Sequence, residues 1–85
     1  MRRAWPPWWD WELVFTKHVL KRMLDRDFSE IEIRTMLEGA LALERAEEPG
    51  RWLVLARHGG VLWGIVVEPE YDAHVLAVIT AFPLD

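Results

Sequence analysis

The chain has 85 residues, too few for two separate hydrophobic cores, so we expect a single domain. Hydrophobic residues make up 52% of it, which excludes a disordered chain, and the absence of cysteine excludes disulfides, thiolate zinc sites and a cysteine nucleophile. The formal net charge of −4 does not attract nucleic acid, so any polyanion site would require a local basic patch.

No apolar stretch reaches the roughly 20 residues that a membrane-spanning helix needs. The start of the chain is basic, as in a signal peptide, but Pro6, Pro7, Asp10 and Glu12 interrupt the apolar region that would have to follow. We therefore predict a cytoplasmic protein with no membrane association.

The first ten residues are rich in tryptophan and proline and predict an irregular N-terminal arm over 1–10, followed by one domain over 11–85. Trp5, Trp8 and Trp9 have two interpretations. They either cover an open edge or face of this same domain or form a partner-binding patch.

Residues 11–15 are apolar and rich in strand formers, which predicts a strand, and Thr16 is a typical helix cap. The spacing then predicts an amphipathic helix over 17–27 with a polar, partly basic outer stripe that includes His18 and Arg22. Its predicted buried arc consists of Val19, Leu20, Met23 and Leu24.

A second helix is predicted to begin at Glu30. Ser29 and Glu32 have the spacing of a capping box, and Phe28 and Ile33 occupy the two positions of a hydrophobic staple.

The end of the second helix has two interpretations. Helix propensity extends it to Glu48, whereas Gly39 suits the left-handed residue that closes a helix and leaves 41–46 free to form a strand before the turn at 47–50. Periodicity alone leaves both open.

The segments 51–57 and 61–67 are strand-like and flank Gly59-Gly60, which predicts a tight hairpin. In that register one face is a core face, with Trp52, Val54, Ala56, Val61, Trp63, Ile65 and Val67. The other face mixes apolar and charged residues: Arg51, Leu53, Leu55, Arg57, Leu62, Gly64, Val66 and Glu68.

A turn is predicted over 69–72 and a last strand over 74–82. Thr80 lies on this strand, and a one-residue shift in register would move it from the core face to the mixed face.

The run from Thr16 to Ser29 places a His, an Arg-Met pair and a second Arg on the first helix, then a turn and a Ser. This pattern, with the ending Val78-Ile79-Thr80-Ala81-Phe82, resembles a family of small uncharacterised prokaryotic proteins related to the BrnT and RelE/ParE-type toxins of toxin-antitoxin pairs. The resemblance covers roughly residues 13–82. The chain departs from RelE-like ribonucleases in being acidic, and the Trp-rich arm is not part of the pattern.

The resemblance implies an α+β fold of the RelE-like type, with strand-helix-helix followed by a three- or four-stranded antiparallel meander and the helices packed on one sheet face. It also implies that the second helix ends at Gly39 and that 41–46 is a strand. RNA cleavage would then occur on the sheet face that the helices leave uncovered.

A metal-independent ribonuclease needs a base near the ribose 2′-hydroxyl, an acid for the leaving oxygen and cations around the phosphate. His18 is the candidate general acid or base and Arg22 a phosphate clamp, with Arg57 and Thr80 as further catalytic candidates. Arg26 and Arg51 are candidate RNA phosphate ligands.

Each of these residues also has a structural interpretation. His18 could only cap or pack, while Arg22 could pair with Asp25, Arg26 with Glu30 and Arg51 with Glu68 across the hairpin. Arg57 could simply keep a sheet face soluble, and Thr80 is ordinary strand material.

The remaining histidines, His58 and His74, have no metal-ligand spacing, so we predict no metal site and no cofactor. The first functional hypothesis is a toxin-type endoribonuclease held by an antitoxin protein. The alternative is a non-catalytic protein-interaction module, for which a homodimer is one of the possible assemblies. Only the first hypothesis requires RNA as a partner.

Overall fold

The computed structural model describes residues 5–27 and 29–84, and Met1–Ala4, Phe28 and Asp85 are not described further. The elements follow in chain order: a 3-10 helix Pro7–Asp10, β1 Glu12–Phe15, α1 Lys17–Asp25, α2 Glu30–Glu38, β2 Ala42–Arg45, β3 Trp52–His58, β4 Val61–Glu70 and β5 Val75–Pro83. In the described ranges, neither helix is long and apolar enough to cross a membrane.

The five strands form one mixed sheet in the order β1-β5-β4-β3-β2. The last four strands are an antiparallel meander, and β1 joins the outer side of β5 in parallel. The predicted α+β class is confirmed. The meander has four antiparallel strands, within the predicted three or four, and the whole sheet is mixed and has five, because β1 pairs in parallel with the last strand of the chain.

Thr16 caps α1 as predicted, since its hydroxyl oxygen accepts a hydrogen bond from Val19 N at 3.2 Å. The helix ends at Asp25, two residues earlier than predicted, because Asp27 adopts a positive φ of 55°, which reverses the chain. The predicted buried arc is too wide. Leu20 and Leu24 are 41% and 84% exposed.

Ser29 caps α2 by accepting a hydrogen bond from Glu32 N at 3.4 Å, while the Glu32 carboxylate lies 3.0 Å from His58 Nε2. The predicted hydrophobic staple involves Phe28, which lies outside the described residues. The helix ends before Gly39 as the glycine interpretation required, but Gly39 has φ −96°, so the predicted left-handed cap is wrong.

Strand β2 resolves the alternatives for the segment after α2, because Ala42–Arg45 pairs with β3 and does not extend the helix. The hairpin is confirmed. Gly59 and Gly60 have φ of 59° and 80°, as a type I′ turn requires, and His58 pairs with Val61.

The predicted turn at 69–72 is wrong, since β4 continues through Pro69 to Glu70 and the turn follows at 71–74. Strand β3 pairs with β4 only as far as Val67. Pro69 therefore lies beyond the end of β3, where a missing N–H breaks no hydrogen bond to that strand.

A β-bulge sits at Ile79, because Val66 pairs with Thr80 while Val67 pairs with Val78. The Thr16 hydroxyl donates to the carbonyl oxygens of Val78 and Ile79, at 3.0 and 3.2 Å. Thr16, which caps α1, therefore also stabilises the bulge through these two hydrogen bonds.

The core lies on one face of the sheet, which we term the core face. Val54, Ile65, Val67 and Val78 are 0% exposed there. The buried side chains of both helices belong to the same cluster: Val19, Met23, Ile33, Met36 and Leu37. Helix α1 contacts β5, and α2 contacts β3. The core face predicted for the hairpin is therefore confirmed.

The N-terminal arm is less irregular than predicted, because residues 7–10 form a 3-10 helix with Pro7 in its first turn. Trp8 is 4% exposed and its ring centroid lies 5.6 Å from that of Trp52. The arm therefore covers the end of the core with this side chain.

Candidate functional site

The second face of the sheet, which we term the open face, is a surface that the two described helices leave uncovered. The pairing register assigns its residues: Glu12 and Val14; Ala42 and Glu44; Leu53, Leu55 and Arg57; Leu62, Gly64, Val66, Glu68 and Glu70; Val75, Ala77, Thr80 and Phe82. Over residues 5–27 and 29–84, the buried side chains of both helices and of the 3-10 helix join the cluster on the opposite side.

The open face is mainly apolar, yet its side chains keep substantial contact with solvent. Leu53, Leu55, Leu62 and Val66 are half-buried, and Val14 is 43% exposed. In a monomer, an apolar sheet face of this kind is typical of a binding surface.

Gly64 lets two open-face side chains pack closely over its strand. A Cβ at this position would lie 3.0 Å from Leu53 Cδ1 and 3.0 Å from Phe82 Cζ. The aromatic ring of Phe82 thus lies over the backbone that the glycine leaves bare.

Charges border this apolar centre. Within the described chain, the open face carries four carboxylates, from Glu12, Glu44, Glu68 and Glu70, against the guanidinium of Arg57 and that of Arg51 at its border. The face is therefore apolar with an acidic margin.

Arg51 is engaged in the pair that its structural interpretation predicted. Its Nε donates to Glu68 Oε1 at 2.9 Å, and its Nη1 lies 3.0 Å from Glu48 Oε2. The hydrogen bond to Glu68 raises the pKa of Arg51 above its ordinary value against the lowering effect of desolvation, and the charges of Glu48 and Glu68 add smaller increases. These contacts occupy the guanidinium that was a candidate phosphate ligand.

Arg57 and Thr80 both lie on the open face, and the bulge at Ile79 decides the orientation that the sequence left open for Thr80. They are not adjacent. Arg57 pairs with Leu62, whose carbonyl accepts from Leu84 N. Thr80 is four residues before Leu84, so two strand spacings and four residues separate the two Cα atoms by roughly 17 Å.

His18, Arg22 and Arg26 are exposed on or directly after α1, whose buried residues face the core side of the sheet. Together with Lys17 and Lys21 they form a basic stripe, and no side-chain ion pair within the described part of the chain neutralises it. The structure thus places the four catalytic candidates in two groups, His18 with Arg22 on the helix and Arg57 with Thr80 on the open face.

The three arm tryptophans that were candidate partner contacts differ in exposure. Trp8 is buried in the core, while Trp5 and Trp9 are half-buried and stack on each other with ring centroids 4.6 Å apart. Only the latter two keep a surface that another molecule could contact.

A surface cleft of about 250 Å³, which was not predicted from the sequence, lies where the 3-10 helix, β1 and α2 meet. Its charged residues are Asp10, Arg34 and Glu38. The four-residue spacing of Arg34 and Glu38 along α2 was a usable signal, but Asp10 reaches the cleft only through the fold of the arm.

Comparison with known families gives one match, which runs over residues 15–83 and includes both helices and the whole meander. The chain belongs to the DUF4258 family. This family is described as a domain of unknown function, so membership identifies the domain without assigning an activity. Searches of curated proteins and of solved structures found no significant match to this DUF4258 chain. The relation to BrnT and RelE/ParE-type toxins stays a prediction.

Proposed function

We propose that this chain is a protein-interaction module and that its open face binds a segment of another protein. The observation that carries the proposal is the apolar sheet face to which, in the described chain, neither helix contributes a cover. A partner that removes the half-buried leucine and valine side chains of this face from water would gain binding free energy from the hydrophobic effect.

The charges favour a partner segment that is amphipathic and basic. The carboxylates of Glu12, Glu44 and Glu70 border the face without an ion pair within the described chain, and the whole chain carries −4. Lysine or arginine side chains beside an apolar stripe would match this arrangement. Two open faces packed against each other would place acidic margins together, which disfavours a homodimer at this surface.

The test is to co-express the chain with the products of its neighbouring genes and to measure the affinity of any complex. Leu55→Glu places a charge at the centre of the open face, and we expect at least a 100-fold loss of affinity. Leu24→Glu changes a side chain that is 84% exposed on α1, and we expect less than a threefold change. An affinity that Leu55→Glu leaves intact, or no complex with any neighbour, contradicts the proposal.

A second candidate is a toxin-type endoribonuclease, as the resemblance to BrnT and RelE-like toxins implies. The unneutralised basic stripe of α1 supports it, because Lys21, Arg22 and Arg26 could contact a phosphate backbone near His18. The two candidates are compatible, since a protein bound on the open face would also cover Arg57 and Thr80.

Growth on induced expression separates the two candidates. For a ribonuclease we expect arrest and RNA cleavage with the wild type, and loss of both in His18→Ala and Arg57→Ala. Normal growth with the folded wild type would contradict the ribonuclease and leave the interaction module as the remaining candidate. Arrest that persists in both variants would remove these residues from the mechanism.

A further inference from the structure

The cleft between the arm and α2 is separate from the open face and from the basic stripe of α1. Its lining residues come from the 3-10 helix and the residue after it, from β1 and β5 on their core side, and from α2. At about 250 Å³ it is close to the lower end of small-molecule pockets. It therefore suits a compound of about ten non-hydrogen atoms.

The floor and walls of the cleft are apolar and held in place. Leu37 and Leu76 form the floor and are 7% and 1% exposed. The Trp9 ring stacks on Trp5, and the Trp11 ring makes an edge contact with His74 at a centroid distance of 4.0 Å. Because these contacts fix both indoles, little side-chain entropy would be lost when a ligand binds.

Both signs of charge lie at the margin of this apolar floor. The guanidinium carbon of Arg34 is 5.7 Å from the Phe15 ring centroid, a cation–π contact that orients it but leaves its N–H donors available. Within the described residues, neither Arg34 nor the carboxylates of Asp10 and Glu38 take part in an ion pair. Among residues 5–27 and 29–84, the cleft thus offers one cation and two anions that lack an ion-pair partner within one small volume.

We propose that this cleft binds a free α-amino acid with an apolar side chain. Arg34 takes the carboxylate through paired N–H donors, and Asp10 and Glu38 take the ammonium group. The side chain lies on the floor between Trp9 and Trp11. A nucleotide fits poorly, since its phosphates would meet two carboxylates and its volume exceeds that of the cleft.

The experiment follows the indole N–H signals of the ¹⁵N-labelled chain during titration with L-leucine, with Trp9→Phe and Trp11→Phe used for assignment. We expect saturable shifts of the Trp9 and Trp11 signals with a Kd of about 1 mM, typical of a ligand with so few atoms. No saturable shift at ten times that concentration overturns the proposal.

Two variants test the role of the guanidinium. Arg34→Gln is expected to weaken leucine binding at least tenfold. Arg45→Gln is the matched control, because Arg45 also lies over an aromatic ring, at 5.3 Å from the Trp52 centroid, but outside the cleft. It is expected to leave the Kd unchanged. Equal Kd values for the two variants overturn the assignment of Arg34.

Two analogues test whether both charges of the ligand are recognised. Leucinamide lacks the carboxylate and N-acetyl-leucine lacks the ammonium group, and we expect each to bind at least tenfold more weakly than leucine. If leucinamide binds as well as leucine, the cleft recognises a cation alone. If N-acetyl-leucine does, it recognises a carboxylate alone. Either result overturns the amino-acid proposal.

Discussion

The two faces of the sheet are built from alternate residues of the same strands, but they have different relations to the rest of the chain. Val67 is 0% exposed on the core face, whereas its neighbour Val66 is half-buried on the open face. Two helices of nine residues each supply the cover for the core face. A chain of this length therefore has enough helix for one face of a five-stranded sheet and leaves the other for a different role.

The difference between the faces lies in packing more than in hydrophobicity. The open face carries leucines, valines and a phenylalanine, but most of these side chains are only half-buried. Side-chain truncations should therefore have large effects on the stability of one face and small effects on the other.

The largest effect is expected for Trp8→Ala, which removes the arm side chain that closes the core face. Trp8 is 4% exposed, and truncation of a buried aromatic residue costs about 3–5 kcal/mol. Urea unfolding followed by circular dichroism measures this change in the free energy of unfolding. Trp5→Ala is the control, with an expected cost below about 1.5 kcal/mol because Trp5 is only half-buried. Equal costs would show that the arm does not contribute to the core through Trp8.

The most direct comparison of the two faces uses adjacent residues of one type. Val67→Ala should cost about 2 kcal/mol and Val66→Ala about 0.5 kcal/mol, because only the first leaves a cavity among fully buried side chains. The same urea titration measures both. A Val66→Ala cost as large as that of Val67→Ala would mean that the open face is covered in solution, for example by a second copy of the chain.

A smaller effect is expected for Glu68→Gln, which removes the charge paired with Arg51 on the margin of the open face. We expect a slightly lower melting temperature in dilute buffer and no difference in about 1 M salt, because partly exposed ion pairs are weak and screened. Glu44→Gln on the same face is the control, and a loss that persists in high salt would contradict the screened pair.

The pH dependence of this pair follows from the raised pKa of Arg51. A raised pKa means that the stabilisation is complete below the ordinary pKa of arginine and is lost only as the pH rises through the raised value. Arg51 should therefore add no pH dependence to the melting temperature between about pH 6 and 9.

The smallest effect is expected for Gly64→Ala. The added methyl group meets Leu53 and Phe82 at 3.0 Å, but both side chains are half-buried and have room to move. The strand also gains from replacement of glycine, so the change in the free energy of unfolding should stay within about 1 kcal/mol of zero. A loss of more than about 2 kcal/mol, measured by urea unfolding, would indicate that the open face is rigid and covered.

Features of the fold that depend on neighbouring residues could be predicted from the sequence. The Gly59-Gly60 turn, the Thr16 and Ser29 caps and the alternation of the central hairpin all follow from short-range chemistry. The parallel partner of β1 could not be predicted, because β5 is about 60 residues away and no local signal selects it. The turn predicted at Pro69 was wrong for a similar reason, because the effect of a proline on a strand depends on where the neighbouring strand ends.

The candidate site was predictable to the same extent. The hairpin register gave both the mixed face and the Arg51–Glu68 pair from the sequence. It could not show how far Arg57 lies from Thr80, because this distance depends on how the last strand pairs with the hairpin. The charges at the cleft could not be grouped either, since Asp10 and Arg34 are brought together only by the folded arm.

The single additional residue at Ile79 has a consequence for how related chains should be aligned. Before Ile79, the even-numbered side chains of β5 lie on the core face, and after Ile79 the odd-numbered side chains do. Deleting Ile79 would remove the bulge and place Thr80 directly after Val78 in one regular alternation, so Ala81 would stay on the core face and Thr80 and Phe82 on the open face. A relative without this residue would therefore present the same side chains to a partner, but only an alignment with a one-residue gap at Ile79 would assign its later residues to the correct face.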